Sequence, residues 1–180
     1  MEQKLELTIA LLAHTPATLN AWLRDLPEAW TTVNEGGETF SAYGVVGHLV
    51  HGERTDWMPR VKTILEYGES RAFVPFDRFA QDRESAGKSL PQLLDEFAEL
   101  RGQNLKELNA LGLTEQKLNM LGRHPRLGTV TLANLLATWA VHDMTHLHQL
   151  ARIMAHQYRG AVGPWSVFLG VLQCNGHSAG

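Results

Sequence analysis

Two histidines four residues apart, His142 and His146, carry the clearest chemical signal in the sequence. On a helix that spacing separates two side chains by only about 40° in direction and one turn in height. Two imidazoles so placed can bind one metal ion, as the paired histidines of H-E-x-x-H zinc peptidases do. Here Asp143 stands where that motif has its catalytic Glu, so peptidase chemistry does not follow. Both histidines fall on an apolar stripe with Leu135, Trp139, Leu150 and Ile153. A core histidine must have its ring nitrogens satisfied, and a metal ion does that for one of them. The plainer alternative is a pair of core histidines hydrogen-bonded to neighbours. The paired spacing, with a third candidate elsewhere, puts metal ahead of it.

A stable site needs a third ligand, and His48 and His51 are the candidates. Three residues apart on a helix, they point about 60° from each other, so one of them faces the interior. Gly44, Gly47 and Gly52 are poor helix formers around them and imply close helix packing or room for a ligand near His48. His51 is read as solvent-facing or helix-terminal. Three imidazoles would leave at least one coordination position open. A water or thiol in that position has a lowered pKa. Imidazole suits zinc, nickel, iron and copper alike, so the residues do not choose the ion. Glu53 and Asp56, just beyond His48, are candidate catalytic acid–base groups, with surface salt bridges as the simpler reading. Asp143 and Gln149 either orient a ligand from behind or are solvated. His148 is turned away from the pair. His14, His124, His156 and His177 have no partner spacing and are read as surface or locally bonded residues.

The elements that must position these groups are helices. Residues 2–26 read as a helix with Leu5, Ile9, Leu12, Leu19, Trp22, Leu23 and Leu26 inward and a kink or restarted turn at Thr15-Pro16. A second helix runs over 41–68, capped by Ser41, bent at Pro59 and ended by Gly68. Residues 69–88 are a long loop carrying Phe73, Phe76 and Phe79, which must pack somewhere. Ser89-Leu90-Pro91-Gln92 reads as a capping box opening a third helix to about residue 110. After a short turn at 114–118 and an ordered loop over 122–130, Thr131 caps a last long helix to about Tyr158. Trp165–Leu172 is a short closing helix. No segment has a strand-like alternation, so the fold class is all-α, a four-helix bundle.

Length and charge bound the rest. The chain has 180 residues, 44% hydrophobic and 19% charged, enough to bury one core and to exclude disorder. It is read as a single domain over 1–180. No apolar run approaches the roughly 20 residues of a membrane span, and Met1-Glu2-Gln3-Lys4 lacks the hydrophobic segment of a signal peptide. One cysteine, Cys174, excludes an internal disulfide framework. The expected location is the cytoplasm. Sixteen Lys and Arg against 19 Asp and Glu give a net charge of -3 with no basic stripe, which argues against nucleic-acid binding.

The order of motifs resembles one family. Thr15-Pro16 is followed by G-H-L-x-x-x-E from Gly47 to Glu53, H-P-x-L-G-x-V-T-L from His124 to Leu132, W-x-x-H-D-x-x-H-x-x-Q from Trp139 to Gln149, and G-P-W from Gly163 to Trp165. Together these resemble the DinB/YfiT-like metalloenzymes of the DinB-like superfamily, over nearly the whole chain. The resemblance implies a four-helix bundle of up-down-down-up connectivity. It implies a nickel or zinc ion on three histidines, which map to His48, His142 and His146. It also implies a homodimer and chemistry such as transfer of a low-molecular-weight thiol to an electrophile. Metal-assisted hydrolysis, with Glu53 or Asp56 as base, is the enzymatic alternative. A metal-binding stress protein without catalysis is the other.

Overall fold

The structure is a computed structural model that describes residues 4–77 and 79–174. The helical elements are α1 (Leu5–Leu23), α2 (Glu28–Thr31), α3 (Ala42–Thr55), α4 (Trp57–Tyr67), α5 (Ala80–Ser85), α6 (Leu90–Ala110), α7 (Glu115–Leu118) and α8 (Leu132–Tyr158). Between α7 and α8 runs an antiparallel hairpin of β1 (Leu121–His124) and β2 (Gly128–Thr131). The expected positions 2, 3 and 175–180, including His177, lie outside the described residues.

Four rods make the bundle: α1, α3 with α4, α6, and α8. Their direction can be read from the two apolar clusters they share. Leu12 of α1 and Leu132, Leu136 and Trp139 of α8 join one cluster, while Leu19, Leu23, Leu150 and Ile153 join the other. The remaining rods run the opposite way, with Val45, Leu49, Leu93 and Phe97 in the second cluster and Val61, Ile64, Leu105 and Leu108 in the first. The connectivity is therefore up-down-down-up. Neighbouring rods α3 and α6 are parallel, so the chain leaving α4 must climb the length of the bundle before α6 can begin. That requirement explains the long 69–88 segment. On the way it buries Phe73, forms α5 across α3, and leaves Phe79 largely exposed.

The caps fall where the sequence places them. Ser41 accepts from the Gly44 amide, and Ser89 with Gln92 forms a capping box. Thr131 caps α8 in a second box with Asn134, which the sequence reading missed. Four expectations are corrected. The 41–68 helix is two helices that meet at Asp56. Pro59 cannot donate to the Thr55 carbonyl four residues back, so the break falls a turn ahead of the proline. Residues 121–131 are a β-hairpin, not a loop, and the Ala72–Arg123 bridge ties it to the climbing segment. Trp165–Leu172 is two 3-10 turns, Gly163–Phe168 and Gly170–Leu172, with Trp165, Val167 and Phe168 exposed. Finally, α1 runs unbroken through Pro16, with Trp22 turned toward solvent and Thr8 and Thr15 inward.

Candidate metal centre

His142 and His146 lie one turn apart on α8, and His48 meets them from α3. The Nε2 atom of His142 stands 3.1 Å from that of His48 and 3.1 Å from that of His146. One ligand atom from each ring falls within 4.8 Å of the others. His146 is buried, whereas His48 and His142 are half-buried. His48 and His142 are therefore the rings of the centre that reach the surface.

Two glutamines fix the rings. The Nδ1 of His48 lies 3.0 Å from Gln81 Oε1, and the Nδ1 of His146 lies 2.8 Å from Gln149 Oε1. A carbonyl oxygen only accepts, so each Nδ1 carries the proton and donates it. The Nε2 of a neutral His48 or His146 then presents a lone pair to the centre. His142 can donate an Nε2 proton to one of these, never to both, and its buried Nδ1 has no hydrogen-bond partner. Adding a proton is a poor remedy. Burial first, then the neighbouring His146 and His48 and the more distant Arg101 and Arg60, push His142 down to about 2. Burial also lowers His146, against opposing help from Gln149 and Asp143. A cation between the rings takes the three converging Nε2 lone pairs at once and leaves Nδ1 to carry the proton of the His142 ring, so the donor set fits a metal ion. Gln81 comes from α5, which is how the climbing segment reaches the site.

Aromatic rings close the surroundings. Phe40 and Phe76 lie 5.7 and 5.3 Å from His48. Trp57 sets its edge 5.1 Å from His142 while stacking 5.6 Å from Trp139. Gly47 is a close-packing position: a Cβ there would meet Ser85 Oγ of α5 at 2.5 Å. The glycine signal near His48 thus reports helix contact.

Next to the histidines lies a buried ionic network that the sequence reading did not assemble. Arg101 of α6 donates to both oxygens of Asp143, at 2.7 and 3.0 Å, and to Glu53 Oε1 at 2.8 Å. Thr15 donates to Asp143 Oδ2 at 2.6 Å. Trp139 donates to Glu53 Oε1 at 2.9 Å, and Asn104 to Oε2 at 2.9 Å. All four carboxylate oxygens are engaged. Arg101 also donates to the Leu12 carbonyl at 2.8 Å. This is the carbonyl that Pro16, lacking an N–H, leaves without its helical partner. Thr15-Pro16 is therefore not a kink but the place where α1 joins the network.

The other sequence candidates are placed as follows. Glu53 and Asp143 are buried in this network, which corrects the simpler reading of Glu53 as a surface residue. His51 is not solvent-facing: it is 4% exposed, because α5 covers it. Its Nδ1 pairs with Glu84 and its Nε2 with Thr55, outside the three-histidine cluster. Asp56 is buried and pairs with Arg60 at 2.5 Å. Burial raises it to about 6 against the opposing pull of Arg60 and His51. His148 is exposed, as expected. His14 bonds the Ala10 carbonyl, and His124 Nδ1 accepts from the Arg126 and Leu127 amides in the hairpin turn. Arg101 was legible as the one charged residue on the stripe Leu93, Phe97, Leu105, Leu108. Gln81 and Glu84 gave no such signal.

The DinB superfamily profile matches residues 11–150. The chain belongs to the DinB superfamily. YfiT from Bacillus subtilis, described as a probable metal-dependent hydrolase with an unusual four-helix bundle topology, has the same fold, with a TM-score of 0.74 at 21% identity over 87% of this chain and 89% of that one. No curated protein matches the sequence. Among the described residues, no helix of this DinB-like chain is long and apolar enough to cross a membrane.

Proposed function

We propose that His48, His142 and His146 hold one divalent ion, nickel or zinc, and that this DinB-like protein is a metal-dependent enzyme. The observation that carries this reading is the convergence of three Nε2 atoms whose outer nitrogens are tied, for two of the rings, to Gln81 and Gln149. A divalent ion there would supply a Lewis acid that lowers the pKa of a thiol or water it coordinates. The reaction we favour is transfer of a low-molecular-weight thiol to an electrophile, in a cytoplasmic homodimer built from one domain over 1–180. In it, the half-buried faces of His48 and His142 admit the reactants. Gln81 and Gln149 hold the rings in register, and Phe40, Phe76 and Trp57 limit water.

A second reading is hydrolysis, favoured by the description of YfiT. Of the two candidate bases, Glu53 has both oxygens occupied and is better placed to orient Trp139 and Arg101. Asp56, raised to about 6, is the group we assign to proton transfer in that case.

Elemental analysis of untagged protein tests the site. Near-stoichiometric metal is expected in the wild type and its loss in His48→Ala, His142→Ala and His146→Ala. Metal-free protein after reconstitution with zinc and nickel would rule out both reactions. Turnover of an electrophile that depends on added thiol supports transfer, and turnover without thiol supports hydrolysis. A fourth protein ligand closing the ion, seen by X-ray absorption, would favour a non-catalytic metal-binding role.

A further inference from the structure

The helix α5 has six residues, Ala80–Ser85, too few to hold their shape alone. Its packing on α3 keeps it in place. The side chains it buries are Ala80, Gln81 and Ser85. So little apolar surface holds it that polar contacts decide its docking. Gln81 Oε1 accepts the Nδ1 proton of His48 at 3.0 Å. Three residues on, Glu84 Oε2 lies 3.0 Å from Arg54 Nη1 and 3.1 Å from His51 Nδ1. The Tyr43 hydroxyl stands 2.6 and 2.9 Å from the Ser85 and Lys88 carbonyls and pins the far end. Between those carbonyls Gly87 sits at φ +79 with open space where a Cβ would stand, a place where the chain can swivel. Gln81 is 1% exposed, yet its Nε2 has no hydrogen-bond partner. A buried amide with unspent donors is costly, so the contact nearest the histidines is also the one that carries a defect.

We propose that α5 is a latch set by metal occupancy: an ion on the three histidines tightens Gln81 against His48 and docks α5 on α3, and loss of the ion loosens it. The proposal rests on reading those histidines as a metal centre and adds a means of regulating it. A neutral imidazole makes an ordinary hydrogen bond to Gln81. The same ring with its Nε2 on a divalent ion makes a charge-assisted one, roughly twice as strong. Coupling of this kind is reciprocal, so docked α5 favours the ion as much as the ion favours docking. Release of α5 uncovers His51, whose Nδ1 Glu84 occupies in the docked position. Loaded and unloaded protein therefore present different surfaces on this side of α3.

Amide hydrogen exchange of the untagged full-length protein reads the latch. With saturating zinc, the α5 amides should exchange about tenfold more slowly than in chelator-treated protein, the gain from turning one ordinary hydrogen bond into a charged one. Gln81→Leu removes the acceptor and keeps most of the bulk. With zinc still bound, its α5 exchange should no longer depend on the ion. Gln81→Glu keeps an acceptor and should keep the dependence. Trypsin cleavage after Arg83, exposed on the outer side of α5, gives a second measurement. Zinc should slow it in the wild type and in Gln81→Glu, and not in Gln81→Leu. Equal α5 exchange and equal cleavage with and without zinc, in wild-type protein that holds zinc, would overturn the latch. A Gln81→Leu protein that responds like the wild type would overturn it too. Protein that takes up no zinc by elemental analysis would instead overturn the metal centre itself, so the two failures are told apart.

Discussion

Two buried polar clusters lie side by side on α8, and they differ in how their atoms are satisfied. Around Arg101, all four carboxylate oxygens of Glu53 and Asp143 receive donors, and even the carbonyl orphaned by Pro16 is taken up. Its remaining Nε–H has no oxygen partner, but the guanidinium lies over the rings of Phe97 and Trp139 at 4.9 and 5.2 Å. Around His142, three nitrogens converge with too few protons between them, and Nδ1 has no partner. A completed network holds helices in register. An incomplete one is waiting for a ligand, because unsatisfied buried polar atoms are costly.

The largest expected effect breaks the first cluster. Arg101→Met leaves two carboxylates buried without a counter-charge and should cost about 3–5 kcal/mol, read from urea denaturation. His142→Leu in metal-free protein should do the opposite, leaving stability unchanged or raised, since it removes a ring with an unpaired nitrogen. A large loss there would mean that the three histidines are a structural network like their neighbour. The same variant should hold no metal.

The next effect is on pH. In metal-free protein the folded His142 sits at about 2 and His146 is also lowered, mainly by burial, against about 6.5 unfolded. Stability is fully present above pH 6.5 and is lost as pH falls through the folded values. The slope is about 1.4 kcal/mol per pH unit for each proton excluded. His142→Leu should remove its share of that slope. If the slope is unchanged, the imidazole is not held neutral by its surroundings. Smaller again is the effect of the glutamines. Gln81→Leu and Gln149→Leu should each weaken metal affinity about 10- to 100-fold, measured by chelator competition, as second-layer partners of metal-binding histidines do.

Much of this was readable in the chain. The i, i+4 histidines, the caps at Ser41, Ser89 and Thr131, and the four apolar stripes all follow from local spacing, and local spacing is what a sequence displays. The misses share a cause: each depended on a distant segment. His51 read as exposed because α5, which covers it, is a six-residue helix inside a polar stretch. Glu53 read as a surface acid because its partners Arg101, Asn104 and Trp139 lie about 50 and 86 residues away. Pro16 read as a kink because nothing nearby could replace its missing donor; Arg101 leaves its trace only as a charge on an apolar stripe. The hairpin escaped because four-residue strands give alternation too short to see.

The smallest net effect lies between pH 4 and 6, where two buried groups work against each other. Burial raises Asp56 to about 6, above the ordinary carboxylate value of about 3.9. The folded protein therefore holds a proton that the unfolded chain has released. Stability from this group is present below the unfolded value and falls as pH rises toward 6, with a limiting slope of about 1.4 kcal/mol per unit. His142 gives a slope of the opposite sign over the same window. In wild-type metal-free protein the two should largely cancel, leaving His146 to set a shallow acid loss. Asp56→Asn removes one side of the balance, so its urea midpoint should fall more steeply than the wild type's as pH drops from 6 to 4. Parallel curves would mean that Arg60 keeps Asp56 ionised throughout. The carboxylate would then be a fixed partner of Arg60, unavailable for proton transfer.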